Sequence, residues 1–268
     1  RVSVLTPRLV QESASHEEDG GVAIHRFPLL DLCKQLPGVP GLGPLNLLSI
    51  QRQVHHAVRR HLGGVDVLHA HIASPLSAFA VQAAQSAGVP SLCKMAMAGA
   101  RNDLSELSSV GLGGARIARQ LVRRLDCFVA TTDAVRESLR EWNVAPDAIT
   151  MIPNGVDLPE EQPERLSRGK VLRFLYLGRL SSNIERDVPS LVRAFDAVAD
   201  AVPDAELAIV GDGDLFASTV DLVSRARNRE RIRMPGPQAP QAWFDWADCL
   251  VLPSRREGLS NALLEAMS

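Results

Sequence analysis

The chain has 268 residues, enough for about two domains of roughly 150 residues each. Its 46% hydrophobic content is that of an ordinary globular protein, and 29 basic against 31 acidic residues leave a net charge of −2. That balance argues against nucleic acid as a partner, and no apolar run reaches the ~18 residues that cross a bilayer.

Residues 2–6 form the first predicted strand, and their apolar character argues against a signal peptide. With no initial methionine, the numbering is expected to begin inside a larger protein. Residues 38–44 (Gly-Val-Pro-Gly-Leu-Gly-Pro) read as a surface loop, too interrupted by proline to cradle phosphate. A helix at 51–61, a strand at 65–69 and a helix at 76–87 follow. The helix predicted at 115–124 carries Arg116, Arg119 and Arg123 on one face and Ile117, Leu121 and Leu125 on the other. A solvated basic face accounts for that pattern by default; contact with an anionic acceptor or membrane surface is the sharper reading. Further along come a strand at 127–131, a helix at 134–142 and a strand at 150–152.

Ile152-Pro153-Asn154-Gly155-Val156-Asp157 then reads as a turn, and the polar, proline-flanked stretch 159–164 as a linker. The domain boundary is placed at 165. Strands at 173–177, 207–210, 232–234 and 249–252 alternate with helices at 188–201 and 216–227, followed by a helix starting near Ser260 or Asn261. Short apolar runs alternating with helical periodicity predict an α/β fold with doubly wound, mainly parallel sheets.

Cys33, Cys93, Cys127 and Cys249 are widely spaced beside apolar neighbours. They read as buried free thiols of a reducing cytosol, which gives a cytoplasmic expectation.

Several motifs carry chemistry. Glu257 and Glu265 lie eight residues apart across a strand-to-helix loop, 255–267. Amides at such a helix start favour an anionic diphosphate, and flanking carboxylates accept hydrogen bonds from sugar and ribose hydroxyls. His69-x-His71 ends a strand in a spacing that also opens some metal sites. All seven histidines occur by position 71, so the further ligands such a site needs are absent downstream. Asp212-Gly213-Asp214 matches a D-x-D metal motif but directly follows a strand, where a turn is expected. Gly211-x-Gly213 fails as a dinucleotide fingerprint, because Phe216 replaces the third glycine.

Taken in order, Asp66-Val67-Leu68-His69-Ala70-His71, Ile152-Pro153-Asn154-Gly155-Val156-Asp157, Leu177-Gly178-Arg179-Leu180, Ile209-Val210-Gly211-Asp212-Gly213 and the segment from Pro253-Ser254 through Glu257-Gly258 to Glu265-Ala266-Met267 resemble the retaining glycosyltransferases of family 4. The resemblance implies a GT-B fold: two Rossmann-like domains facing a cleft, the acceptor side at 1–165 and the sugar-nucleotide side at 166–268. Both are expected to be incomplete, lacking the glycine-rich loop before Arg1 and the closing helices after Ser268.

It also implies transfer of a sugar from a nucleotide-diphosphate donor to a sugar, lipid or small-molecule acceptor, with retained configuration and with no metal or other cofactor. Arg179 and Gly178 would meet the diphosphate, and Arg186 stands where the family usually has a lysine. Glu257 would contact the transferred sugar and Glu265 the ribose, while Gly258, Leu259 and Ser260 would offer backbone amides. His71 would lie near the reacting sugar, with His69 the second choice and expected to be packed. A GT-B protein that binds a sugar nucleotide without turnover is the alternative, and a GT-B epimerase a third.

Overall fold

The structure is a computed structural model that describes residues 1–8, 13–36, 42–158, 172–182, 186–254 and 258–268. It divides into two compact units, Arg1–Pro153 and Asn154–Ser268. The boundary predicted at 165 lies outside the described residues.

The first unit runs through β1 (Ser3–Arg8), β2 (His16–Asp19), β3 (Val22–Pro28), α1 (Leu32–Gln35), α2 (Leu42–His61), β4 (Leu68–His71), α3 (Pro75–Ser86) and β5 (Ser91–Met95). It continues with α4 (Asp103–Ser108), a 3-10 turn Gly111–Gly113, α5 (Gly114–Arg124), β6 (Cys127–Ala130), α6 (Asp133–Glu141), a second 3-10 turn Pro146–Ala148 and β7 (Ile149–Met151). Strands β4, β5, β6 and β7 pair in that order, all parallel. A smaller sheet sets β1 parallel to β3, with β2 antiparallel on its other side.

Local chemistry explains the helix starts. Ser74 accepts from Ser77 N with Pro75 in the first turn, Asn102 accepts from Leu104 N and Ser105 N, and Thr132 accepts from Val135 N. The core gathers the inward stripe of each helix, such as Ile117, Ala118 and Leu121 of α5, against Phe128, Ala130 and Met95 of the sheet. Arg116, Arg119 and Arg123 are exposed on the opposite side of α5.

The second unit contains β8 (Arg173–Leu177), α7 (Val188–Ala201), β9 (Glu206–Val210), α8 (Phe216–Ser224), β10 (Ile232–Gly236), α9 (Gln241–Trp246), β11 (Cys249–Leu250) and α10 (Asn261–Met267). The four strands among its described residues are parallel in the order β10-β9-β8-β11. Tyr176, Leu207 and Ile209 face α7 and α8 on one side, and Leu175, Ala208 and Val210 face the α9 segment on the other. Both faces are covered, as a parallel sheet requires.

Four expectations are corrected. The strand predicted at 65–69 is displaced to Leu68–His71, because the chain is still turning at Val65, whose N–H donates to Leu62 O at 3.1 Å. Leu42, Gly43 and Pro44, expected in a loop, open α2 instead; proline in a first turn loses no helical hydrogen bond. The rest of that loop, 38–41, lies outside the described residues. Of the four free cysteines only Cys93 is buried, and Cys33 is exposed because α1 is a single surface turn that buries none of its residues. Finally His69 is exposed like His71, while Ala70 between them is buried. Both histidines line a cavity of about 620 Å³ that runs along consecutive residues of β4 and β1, so the ring meets open space where packing was expected.

Candidate functional site

In the second unit β8, β9 and β10 follow one another to one side, and β11 returns to the other side of β8. The order of an open parallel sheet thus reverses between β8 and β11, and ligand crevices form outside the carboxyl ends of strands at such a point. Gly178 leaves β8 and Gly211 leaves β9. A Cβ on Gly211 would overlap the carbonyl of Gly178, and one on Gly213 would overlap that of Leu180. Backbone bonds hold the loops at this distance: Leu180 N donates to Asp212 O at 2.9 Å and Leu215 N to Leu180 O at 3.0 Å. Beneath them the hydroxyl of fully buried Tyr176 donates to Arg179 O at 2.9 Å.

Two guanidinium groups stand on this platform. Arg179 is exposed, and Arg186 is half-buried with Nη1 in the space a Cβ on Gly178 would take. Arg186 also forms a backbone bridge with Ser254, and Asp187 N donates to Pro253 O at 2.7 Å, so this segment ties the ends of β8 and β11 together. A cavity of about 510 Å³ is lined by Gly178, Arg179, Ser181 and the 211–214 loop.

The two aspartates of that loop accept hydrogen bonds, Asp212 from its own turn and Asp214 from the segment that follows β8. Asp212 accepts from Gly213 N at 2.7 Å, and Asp214 accepts from Ser182 Oγ at 2.5 Å and Ser182 N at 3.2 Å. Those serine bonds, with another from Ser181, pull the Asp214 carboxyl down to about 2. Among the described residues no group of three or more His, Cys, Asp or Glu side chains is placed to hold a metal ion.

Near α10, Ser260 occupies the N-cap position but its buried hydroxyl makes no capping bond. Asn154 Nδ2 instead donates to Leu259 O at 2.8 Å and to Asn261 Oδ1 at 2.9 Å, fixing the 154–157 turn to the start of α10. Glu265, half-buried and one turn beyond Asn261, opens onto a second cavity of about 460 Å³ with Gly155, Val156 and Asp157. Gly258 and Leu259 are half-buried beside it, and Glu257 lies outside the described residues. The structure therefore brings Gly178, Arg179 and Arg186 together and sets Glu265 at a separate opening. The fastening role of Asn154 was not foreseen; its Asn-Gly pair signals a turn but not what the turn holds.

In the first unit His71 ends β4, in register with Lys94 of β5. Desolvation, then the neighbouring charges of His71 and Lys94, lowers the His69 pKa. Asp103, fully buried at the start of α4, accepts from Ala96 N at 2.7 Å and Met97 N at 2.9 Å. Burial pushes its carboxyl up against the opposing pull of those bonds and of His71. Neither Lys94 nor Asp103 was foreseen, because each sits in an otherwise ordinary strand or helix start.

Two α/β units with parallel sheets, one carrying an arginine-lined platform at its switch point, define a GT-B architecture. It is shared with HepE of Anabaena in complex with UDP-glucose (15% identity, TM-score 0.63, 100% of this chain and 78% of that one). The apo lipopolysaccharide outer core galactosyltransferase WaaB is similar too (17% identity, TM-score 0.59, covering the same shares). The family model described as glycosyl transferase 4-like domain matches residues 1–155, and that described as glycosyl transferases group 1 matches 172–268. The chain belongs to the glycosyl transferase 4-like family. It is 31% identical over 96 residues to an uncharacterized glycosyltransferase of Methanocaldococcus jannaschii, across 35% of this chain and 23% of that protein. It is 27% identical over 157 residues to the lipopolysaccharide 1,6-galactosyltransferase of Salmonella typhimurium, across 53% of this chain and 40% of that protein. The matches thus span less than half the length of either curated relative.

Proposed function

We propose that this chain serves a glycosyltransferase that moves a sugar from a nucleotide-diphosphate donor to an acceptor with retention of anomeric configuration. The observation that carries this reading is the pair Arg179 and Arg186 on a glycine-built platform at the β8/β11 switch point. Planar guanidinium groups hold diphosphate oxygens through paired, charge-assisted bonds, and they stabilise the negative charge that grows on a departing nucleotide. Only glycine lets a phosphate approach that backbone closely. Asp212 accepts from Gly213 N and Asp214 from Ser182, so both carboxylates brace the loops that carry Arg179. In this reading Glu257 meets the transferred sugar, Glu265 the ribose, and Gly258, Leu259 and Ser260 give backbone amides. His71 serves the reacting centre. The UDP complexes of structural neighbours support a nucleotide-sugar donor.

The test is calorimetry with UDP and GDP in the presence of EDTA. One of the two should bind, and Arg179→Ala and Arg186→Ala should each weaken it by tenfold or more, about the worth of one charge-assisted bond. Glu257→Ala should lower sugar transfer with nucleotide affinity intact, and Glu265→Ala should weaken the nucleotide itself. Undiminished binding in both arginine variants would place the diphosphate elsewhere.

A further inference from the structure

The arginines of α5 have an apolar companion that the helix pattern does not reveal. Leu112, in the 3-10 turn just before α5, is 96% exposed, more than any other large hydrophobic side chain among the described residues. Val110 precedes it, also exposed. A Cβ on Gly113 would lie 3.0 Å from Leu47 Cδ1, so this turn abuts the first turns of α2. There Leu45 and Leu48, three residues apart on the face opposite the core, are 59% and 52% exposed. From this apolar tip both helices lead into exposed basic residues: Arg116, Arg119 and Arg123 along α5, and Arg52 and Arg59 along α2.

Among the described residues the fold makes little use of these groups. Arg119 Nε returns to Ala115 O at 3.1 Å, but none of the five arginines forms an ion pair with a described residue. No acidic residue interrupts α5. A solvated basic face accounts for the arginines but not for three exposed leucines grouped at their end. Isolated surface leucines are commonplace; a cluster rimmed by one sign of charge marks a contact.

We propose that this corner of the first unit docks on the surface of an anionic lipid bilayer. Leu45, Leu48 and Leu112 enter the interfacial region, and the arginines of α5 and α2 lie against the headgroups. The charge chooses the occupant. A row of arginines with no ion pair among the described residues fits a dense anionic surface, and an apolar tip fits the layer beneath it, as for helices that lie on a membrane without crossing it. Among the described residues no helix is long and apolar enough to cross one. The proposal is independent of the sugar-nucleotide reading, which concerns the second unit.

Vesicle co-sedimentation tests it with the chain as it stands. The protein should pellet with vesicles of phosphatidylcholine and phosphatidylglycerol in equal parts and stay in solution with phosphatidylcholine alone. Each arginine at an anionic surface is worth about fivefold in partitioning, so Arg116→Gln/Arg119→Gln/Arg123→Gln together should lose on the order of 100-fold. Added salt should weaken binding by screening. Leu112→Ser, at a site with almost no packing to lose, should lose about tenfold at an unchanged thermal midpoint. Failure to pellet with the anionic vesicles, equal binding to both vesicle types, or full retention by Leu112→Ser overturns the proposal. So does a chain that self-associates through this face, shown by a larger size in gel filtration that Leu112→Ser abolishes without any vesicle binding.

Discussion

Asp103 and Asp214 show how position alone gives one side chain opposite proton chemistry. Asp214 sits at the surface, where bonds from Ser182 and Ser181 hold it ionised down to about 2. Its folded pKa is depressed, so its contribution is present above the unfolded value of ~3.9 and is lost as pH falls toward about 2. Asp103 is raised by burial, so its contribution runs the other way. It is full below the unfolded carboxylate value and fades as pH rises through the raised one. Asp103→Asn removes that titration and keeps an oxygen for the Ala96 and Met97 amides. Urea unfolding from pH 7 downward should show the wild type gaining stability relative to Asp103→Asn. A wild type that loses ground to the variant on acidification would contradict the assignment. Asp103→Ala leaves both amides without an acceptor and should cost about 1–3 kcal/mol at pH 7.

At the scale of elements, the loops after β8 and β9 are the tightest places in the second unit. Gly211→Ala and Gly213→Ala each drive a methyl into a backbone carbonyl, which cannot rotate away. Each should cost about 1–3 kcal/mol in urea unfolding, as overpacking does, and should weaken nucleotide binding as the Arg179 loop shifts. Gly155→Ala meets nothing within 4 Å and serves as the control for stability alone, with a change within ~0.5 kcal/mol. Such elements differ in how plainly the sequence announces them. β8 and α7 coincide with their predicted ranges, because an apolar run and a helical stripe capped by Asp187 leave no alternative. The β2–β3 hairpin was not predicted: Gly20-Gly21 marks its turn, yet His16-Glu17-Glu18-Asp19 is charged and wholly exposed and carries no alternation to read. The start of α2 was hidden by Gly43 and Pro44, which signal loops until they are seen in a first turn. Arg179 and Arg186 are picked out by the family resemblance, and the structure sets both beside Gly178 at the end of β8. The tie from Asn154 to Leu259 was not legible in the sequence, since it joins residues 105 apart and no local period encodes such a contact.

For the whole molecule, the two units keep separate cores, one from Val54 to Val144 and the other from Leu175 to Ile232. A ligand bound only by the native second unit stabilises it by mass action, about 2.7 kcal/mol at a hundred times its dissociation constant. Hydrogen exchange maps where that stabilisation falls. With UDP, or GDP if that is the nucleotide bound, the amides of β8, β9 and the loops after them should exchange more slowly. The ladder sits behind Gly178 and Gly211, and opening it requires release of the nucleotide. Amides of β5 and β6, whose hydrogen bonds belong to the other core, should keep their rates. Arg179→Ala should return the β8 and β9 rates to those without nucleotide, because the protection depends on occupancy and not on the arginine as a structural part. Protection confined to the first unit would move the nucleotide site there. Slowing in the second unit that survives Arg179→Ala and Arg186→Ala would leave the site in that unit but remove these arginines from the diphosphate.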